Sequence, residues 1–246
     1  MTALVDWNEY ASSRSAARNR WLHLHHQLVT EAFVTYVSSL PADLGILDAG
    51  CGNGFFMQML RDLGFRQVRG IDISDPWIDE CRRKNLDVEN CSIEHLPRDQ
   101  RYDLIILMDV IEHLESPCDA LERLRSCLSD GGQVYVNVPV CDSLQKRWQR
   151  RLRRVSRLDQ SRTWDETHRH AWSASEFDRL LQSTGLRPFR RMLLSNPWPV
   201  VGRWNAQLAH ALQRITCGGR FGDLYSVVAA RVERSLADTV DHLGDG

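Results

Sequence analysis

Hydrophobic positions along the chain follow two repeats, one typical of amphipathic helices and one of short buried strands. In the first predicted helix, Leu22, Leu28 and Phe33 recur at helical spacing, and Pro41 follows the end of the segment. The continuous apolar run within 102–110, at 104–108, is typical of a strand that is buried on both faces. The predicted helices are 17–40, 55–63, 76–85, 117–131 and 174–185. The predicted strands are 45–50, 67–74, 88–93, 102–110, 133–140, 188–194 and 224–232.

The order of these elements predicts an α/β fold. Strands alternate with helices, which is typical of βαβ units that build a doubly wound parallel sheet with helices on both faces. No helical pattern stands directly before 224–232, so we expect this last strand to run antiparallel. We predict a single domain over 1–246, in which 1–40 forms a helical lid. Two insertions, 141–167 and 196–222, are expected to cap it.

Composition narrows the class of protein. With 246 residues and 43% apolar content, the chain is long enough for one sizeable core. The net charge of −1 argues against a nucleic-acid partner. Seven cysteines without a CxxC pair predict reduced thiols in a cytoplasmic protein. The first 21 residues lack the apolar core of a signal peptide, and no stretch approaches the roughly 20 apolar residues of a membrane span.

A glycine-rich loop follows the first predicted strand, in the segment ILDAGCGNGFF. Gly50, Gly52 and Gly54 lie at the carboxyl end of that strand, where open α/β sheets bind ligands. Glycine lets the backbone pass close to a ligand, and the following helix points its N-terminus at the same place. Phe55 stands where a dinucleotide-binding G-x-G-x-x-G motif has its third glycine. This spacing argues against a nicotinamide-dependent dehydrogenase.

A second signal lies at the end of the second predicted strand. Asp72 follows the loop by about 20 residues, where a carboxylate can accept hydrogen bonds from the ribose hydroxyls of a nucleoside. The neighbouring Ile73 can cover one face of an adenine. The alternative role for Asp72 is to cap the helix that Pro76 opens. Taken together with the loop, the position of Asp72 favours the ribose.

Five segments in this order resemble the motifs of the class I S-adenosylmethionine-dependent methyltransferases. The segments are LDAGCGNGFF, GIDIS, SIEHLP, YDLIILMDVIEHL and LSDGGQVYVNVP. The resemblance covers about 21–232. It implies a Rossmann-like sheet of seven strands with the last one antiparallel. It also implies S-adenosylmethionine as the cofactor and S-adenosylhomocysteine as its product.

The resemblance further implies roles for individual residues. Asp48 and the first glycines of the loop would line the methionine part of the cofactor, while Ser92 and Ile93 would border its adenine. Met108 and Asp109 would close the site. The full set of predicted cofactor-binding residues is Asp48, Gly50, Gly52, Gly54, Asp72, Ile73, Ser92, Ile93 and Met108.

Two segments offer acid–base candidates, because a phenolic or alcoholic acceptor benefits from a base that titrates near neutral pH. The segment DVIEH places Asp109, Glu112 and His113 on one face if it is helical. The segment ETHRHAWS places His168 and His170 on the same side if it is extended. The predicted catalytic residues are His113, His168 and Asp109.

The same segments are similar to those of two metal-assisted groups. Ubiquinone-pathway O-methyltransferases carry E-x-x-E-H, and small-RNA 3′-terminal 2′-O-methyltransferases add downstream histidines. Here Asp109 stands at the first position of that motif. The alternative is that IEHL is a common helix start in this superfamily, in which Glu112 and His113 fix a loop. We predict that no metal is bound.

A basic segment at 144–158 follows the fifth strand, with Leu144, Trp148 and Leu152 at helical spacing among many arginines. Such a helix is typical of a contact with a membrane surface or an acidic partner. The alternative is a solvated helix that covers the active site. Its position predicts an anionic, lipid-linked or carrier-bound acceptor. We therefore predict methyl transfer to a small molecule, at oxygen. The alternatives are a metal-dependent RNA 2′-O-methyltransferase and a cofactor-binding subunit without activity.

Overall fold

Helices and strands alternate along the chain as the apolar pattern predicts. The computed structural model describes residues 20–141, 167–194 and 224–232, with side chains from Val29 onward. The helices are α1 (Arg20–Val37), α2 (Phe55–Asp62), α3 (Asp75–Arg83), α4 (Pro117–Ser126) and α5 (Ala174–Ser183). The strands are β1 (Gly45–Ala49), β2 (Gln67–Asp72), β3 (Asp87–Asn90), β4 (Tyr102–Met108), β5 (Leu128–Pro139), β6 (Leu186–Leu194) and β7 (Leu224–Arg231). Two single 3₁₀ turns, Ile93–His95 and Ile111–His113, follow β3 and β4.

All seven strands belong to one sheet, in the order β3-β2-β1-β4-β5-β7-β6. The first five strands pair in parallel, and β7 pairs antiparallel with both β5 and β6. This confirms the predicted Rossmann-like fold class, including the antiparallel last strand. The order reverses between β1 and β4, so the loops after these strands open a crevice at their carboxyl ends.

Helices cover both faces of the sheet, and each face has its own apolar core. One core includes Leu121 of α4 and Phe177 of α5, both fully buried. The other includes Phe33 of α1, Met57 of α2 and Ile78 of α3. The apolar faces predicted from helical spacing are therefore the faces that pack on the sheet.

The predicted helix at 117–131 is wrong at its C-terminal end. The helix α4 ends at Ser126, and β5 begins at Leu128 and runs through both glycines. A Cβ atom on Gly132 would lie 2.9 Å from the carbonyl oxygens of Ser129 and Tyr102. Gly132 is therefore needed for a close backbone approach where the register between β4 and β5 shifts, while Gly131 has a positive φ of 76°. Both glycines lie within β5 and do not mark a helix stop.

Parts of the predicted lid and caps lie outside the described residues. From Val29 onward, α1 contributes buried side chains to the core and packs against the sheet. The segments 1–19, 142–166 and 195–223 are not described, and these include most of both predicted insertions and the basic segment. Among the described helices, none is long and apolar enough to cross a membrane.

Candidate active site

Three loops meet at the carboxyl edge of the sheet. The backbone N–H groups of Gly50 and Cys51 both donate to the carbonyl oxygen of Ile71, at 2.8 and 2.9 Å, so the glycine loop crosses the end of β2. The loop also lies against the segment after β4, because a Cβ atom on Gly50 would come within 2.5 Å of a methyl group of Val110. The residues that follow β1, β2 and β4 therefore share one site.

Only one of the three loop glycines faces open space. Gly52 has a φ angle of 51°, and a Cβ atom there would meet nothing within 4 Å. Gly54 also has a positive φ, but a Cβ atom on it would lie 2.3 Å from the Leu86 side chain. The bare backbone at Gly50 and Gly54 is thus explained by packing within the protein. Gly52 is the position at which a ligand can approach the backbone.

Asp72 connects the glycine loop to the start of α3. Its Oδ2 accepts a hydrogen bond from the Gly52 N–H at 2.8 Å, and its Oδ1 accepts one from the Ser74 N–H at 2.9 Å. Burial raises the pKa of this carboxyl, while the N–H groups of Ser74, Gly52 and Ile73 lower it. The N-cap of α3 is Ser74, so Asp72 supports the helix start from two residues upstream. Each carboxylate oxygen retains lone-pair capacity for a hydroxyl donor.

Asp48 is a buried carboxyl group in β1, with 1% of its surface exposed. Its Oδ2 has no hydrogen-bond partner among the described residues. Burial raises the pKa of Asp48 well above its usual range, and the nearby Asp72 carboxylate raises it further. A buried acid without a donor is costly unless a ligand supplies one. The ammonium and sulfonium groups of S-adenosylmethionine are positively charged, so the acidic pair and the open backbone at Gly52 fit this cofactor.

Replacing Asp48 by asparagine is expected to stabilise the protein without cofactor. The folded state holds the Asp48 proton more tightly than the unfolded chain does. The contribution of Asp48 to the free energy of unfolding is therefore most favourable at low pH, and it is lost as the pH rises through the folded-state pKa of Asp48. Asp48→Asn removes this loss, so the variant should melt at a higher temperature than the wild type at pH 7. The gain should vanish below about pH 4, near the unfolded pKa of aspartate. Thermal melts over this pH range measure it.

The same variant should bind S-adenosylmethionine at least about tenfold more weakly, since one charge-assisted hydrogen bond is lost. Asp103→Asn is the matched control, because the Asp103 carboxylate accepts hydrogen bonds from the Gly45 N–H and the Ser129 hydroxyl. That variant should lose stability and keep its cofactor affinity. Loss of both stability and affinity in Asp48→Asn would show that Asp48 is structural.

The remaining predicted cofactor residues border the same edge. Ile73 follows the end of β2 and is 45% exposed. The Ser92 hydroxyl lies 2.7 Å from Nδ1 of His95 in the turn after β3. Ile93 is buried in the core, so its backbone is the part left to border an adenine. Met108 ends β4 and packs against the core under α1 and α2.

The turn after β4 brings together Glu112, His113 and His168. Their ligating atoms all lie within 4.8 Å of one another. The His113 and His168 rings meet edge to face with centroids 4.7 Å apart, and His168 Nε2 lies 3.9 Å from Glu112 Oε1. Backbone hydrogen bonds fix this arrangement, because the N–H groups of Arg169 and His170 both donate to the Glu112 carbonyl oxygen. We name this group the histidine cluster.

Two further candidates from the same segments, His170 and Asp109, are not part of the histidine cluster. His170 does not join the histidine cluster, because its Nε2 lies 2.9 Å from the Leu114 carbonyl oxygen and its ring stacks on Trp172. Asp109 is not helical and has a φ angle of 56°. Its Oδ1 accepts a hydrogen bond from the Asn137 amide at 2.7 Å. The helical face predicted for DVIEH is therefore absent, and a 3₁₀ turn places Glu112 and His113.

Asn137 and Ser226 were not predicted from the sequence, and they contact each other behind Asp109. Both are fully buried polar residues whose neighbours in the strand are apolar, Val136 and Val138 in β5 and Tyr225 and Val227 in β7. That contrast was the signal available in the sequence, since buried polar groups are uncommon unless they are paired.

The fold and the site together define an α/β domain with a glycine loop and two neighbouring acidic residues, Asp48 and Asp72, at the carboxyl edge of its sheet. A family model for a methyltransferase domain matches residues 13–189, and the chain belongs to that family. This confirms the predicted class, a methyltransferase that depends on S-adenosylmethionine.

Individual proteins show the same likeness. The ubiquinone biosynthesis O-methyltransferase of Roseobacter denitrificans is 28% identical over 65% of this chain and 68% of its own. The tRNA U34 carboxymethyltransferase of Campylobacter curvus is 28% identical over 39% of this chain, and the match spans only about a third of that enzyme's length (35%). The magnesium protoporphyrin IX methyltransferase of Synechocystis PCC 6803, solved with bound S-adenosylhomocysteine, shares the fold. Its TM-score is 0.64 at 17% identity, over 92% of this chain and 95% of that one.

Proposed function

We propose that this protein transfers the methyl group of S-adenosylmethionine to an oxygen atom of a small, anionic acceptor. The observation that carries the proposal is the histidine cluster, whose Glu112 and His113 follow Val110, the residue that packs against Gly50 of the glycine loop. The longer overlap with an O-methyltransferase, 65% of this chain, supports oxygen as the acceptor atom. The overlap with the tRNA enzyme covers 39% of the chain and supports only the cofactor-binding part.

His113 has the tautomer of a base. Its Nδ1 lies 3.2 Å from the Thr167 carbonyl oxygen, and a carbonyl can only accept. The Thr167 hydroxyl also lies 3.2 Å from Nδ1 and can either donate or accept, so we assign the proton of the neutral ring to Nδ1, which serves both oxygens. Nε2 then carries the lone pair that accepts a proton. His168 lies between this ring and the buried Glu112 carboxylate, which stabilises a positive charge on either imidazole. The cluster is built to take up the proton of an acceptor hydroxyl.

The other site residues bind and orient. S-adenosylmethionine supplies a methyl group that is already activated on a sulfonium. Asp72 would hold the ribose, Asp48 the methionine end, and the open backbone at Gly52 would lie close to the cofactor. Alignment of acceptor and methyl group can itself contribute about 7–11 kcal/mol to the rate. The base then removes the proton that the acceptor loses on methylation.

We infer the class of acceptor from the basic segment that follows β5 in the sequence. The basic segment at 144–158 follows β5, whose carboxyl end borders the site. Its arginines favour a phosphate-bearing lipid or sugar, or a carrier-bound thioester. The proposal is tested by measuring S-adenosylhomocysteine formation from panels of phenols, phosphorylated lipids and sugars, and RNA 3′ ends. Turnover confined to RNA would contradict it, and cofactor binding without turnover on any panel would identify a non-catalytic subunit.

A divalent cation in the histidine cluster is the second candidate, because one carboxylate and two imidazoles are a suitable donor set for zinc, manganese or iron. Such an ion would be held by Glu112, His113 and His168, with Asp109 engaged by Asn137 instead. It would polarise the acceptor oxygen as a Lewis acid.

We expect no effect of EDTA, because the His113 tautomer and the adjacent Glu112 carboxylate are sufficient for base catalysis. The measurement is S-adenosylhomocysteine production before and after EDTA treatment, with metal content determined by mass spectrometry. Loss of activity that one divalent metal restores would overturn the base mechanism and assign a metal site. Loss that no metal restores would show that EDTA acts on the fold.

A further inference from the structure

A chain of three polar residues crosses β4, β5 and β7 behind the active-site edge. The Ser226 hydroxyl donates to Asn137 Oδ1 at 2.7 Å, and Asn137 Nδ2 donates to Asp109 Oδ1 at 2.7 Å. A third hydrogen bond closes the arrangement, because the Asp109 N–H donates to the Asn137 carbonyl oxygen at 3.1 Å. We name these three residues the Ser226–Asn137–Asp109 relay.

Sheet topology creates this contact. Asn137 is the partner of Met108 in the parallel pairing of β5 with β4, so its amide reaches the residue just after β4. Asn137 is also the partner of Ser226 in the antiparallel pairing of β5 with β7. Because β7 lies between β5 and β6, the Ser226 hydroxyl lies next to the Asn137 amide.

The relay fixes one orientation of the Asn137 amide. Asn137 and Ser226 are both fully buried, where an unpaired polar group is costly. With its oxygen taken by the Ser226 hydroxyl, the amide turns its NH₂ group to Asp109. The reversed amide would place its oxygen against the Asp109 carboxylate and lose the charge-assisted hydrogen bond.

Asp109 is held in a backbone conformation that a residue with a side chain rarely adopts, with a φ angle of 56°. Two of its groups, the backbone N–H and Oδ1, are bound by Asn137. Such strain persists where the surroundings over-determine the conformation, and it concentrates at active sites. Val110, the next residue, packs against Gly50, so this conformation also sets the path of the chain past the glycine loop.

We infer that Asn137 and Ser226 are positioning residues that hold the Asp109 carboxylate at the cofactor's reactive end. This inference rests on the proposed function and on the place that the family resemblance implies for Asp109, which would close the cofactor site. A carboxylate held there favours the positively charged sulfonium of S-adenosylmethionine over the neutral thioether of S-adenosylhomocysteine. The ratio of the two affinities therefore reports the placement of Asp109 without any need for an acceptor.

The experiment measures both affinities by calorimetry in Ser226→Ala. Loss of the hydroxyl frees the Asn137 amide to turn, so S-adenosylmethionine affinity should fall by about 2- to 12-fold, the fold-change of one neutral hydrogen bond. S-adenosylhomocysteine affinity should stay unchanged, and Ser226→Thr should restore the ratio. The matched control is Thr184→Val, which removes a buried hydroxyl that donates to the Leu181 carbonyl oxygen at the end of α5. This variant should leave the ratio as in the wild type.

A double-mutant cycle with Asp109→Asn identifies the route of the effect. If Ser226 acts through Asp109, Ser226→Ala adds nothing in the Asp109→Asn background. If Ser226→Ala changes the affinity ratio as much in the Asp109→Asn background as in the wild type, the inference is overturned, while the role of Asp109 itself stands. An unchanged ratio in Asp109→Asn alone overturns both this inference and the proposed place of Asp109. If circular dichroism shows that Ser226→Ala is unfolded, Ser226→Cys is measured instead, because a thiol is a weaker hydrogen-bond donor than a hydroxyl. A wild-type affinity ratio in Ser226→Cys would contradict the relay.

Discussion

Replacing His113 by alanine is expected to lower kcat by about 10²- to 10⁴-fold, the contribution of a positioned general base. The reason is the lone pair on its Nε2, which the hydrogen bond from Nδ1 to Thr167 leaves in place to accept the acceptor's proton. The same change in His168 should also lower kcat, since this ring connects His113 to the Glu112 carboxylate. Affinity for S-adenosylmethionine should be nearly unchanged in both. Steady-state kinetics on the identified acceptor and calorimetry give the two quantities.

The chain offers a matched control for the histidine substitutions. His170 lies in the same segment as His168, but its ring stacks on Trp172 and its Nε2 lies beside the Leu114 carbonyl oxygen. His170→Gln keeps a side-chain N–H for that carbonyl and should retain kcat. Raising the pH separates the roles further, because a base is needed less as the acceptor hydroxyl ionises by itself. Full activity in both His113→Ala and His168→Ala would leave alignment of the substrates as the whole mechanism.

The layout of the sheet could be predicted because its strands follow simple patterns. The predicted strand at 102–110 contains five consecutive apolar residues, 104–108, as is typical of a strand covered on both faces, and it forms the central strand β4. The antiparallel direction of β7 followed from the absence of a crossover helix before it. These features depend on local composition and on chain connectivity, both of which the sequence contains.

Glycine was harder to interpret, because the same residue serves opposite purposes. Gly131 and Gly132 look like a helix stop, yet Gly132 is required where two strands approach closely. Gly54 belongs to a ligand-binding motif, yet its missing side chain makes room for Leu86. A pattern shows that a side chain is absent and does not show which neighbour would collide with it.

The histidine cluster could be predicted only in part. His113 and His168 were expected at the same edge, but Glu112 enters through a 3₁₀ turn and through backbone contacts with 169–170. Those contacts join residues more than 50 positions apart in the chain, and no local sequence repeat predicts contacts over that separation. The relay has the same origin, since Ser226 reaches Asn137 only through the antiparallel pairing of β7.

Replacing Asp72 by alanine is expected to weaken S-adenosylmethionine binding by more than about tenfold. The carboxylate would accept hydrogen bonds from two ribose hydroxyls, worth about 1.5–3 kcal/mol each when shielded from water. Because burial raises the pKa of Asp72, affinity should also begin to fall on acidification at a higher pH than for an ordinary carboxyl group. Calorimetry on the folded variant measures the loss. Asp75→Ala, an exposed acid in the first turn of α3, is the control and should bind normally.

The structure gives Asp72 a second task, because the same two oxygens accept the N–H groups of Gly52 and Ser74. Alanine would therefore also loosen the glycine loop, and a drop in affinity alone does not separate the two causes. S-adenosylhomocysteine analogues that lack the 2′- or 3′-hydroxyl resolve them. If Asp72 binds the ribose, the wild type should discriminate against each analogue by about tenfold, and Asp72→Ala should bind the analogues and the parent compound equally. Discrimination that survives in Asp72→Ala would show that another group binds the ribose and that Asp72 only holds the loop to α3.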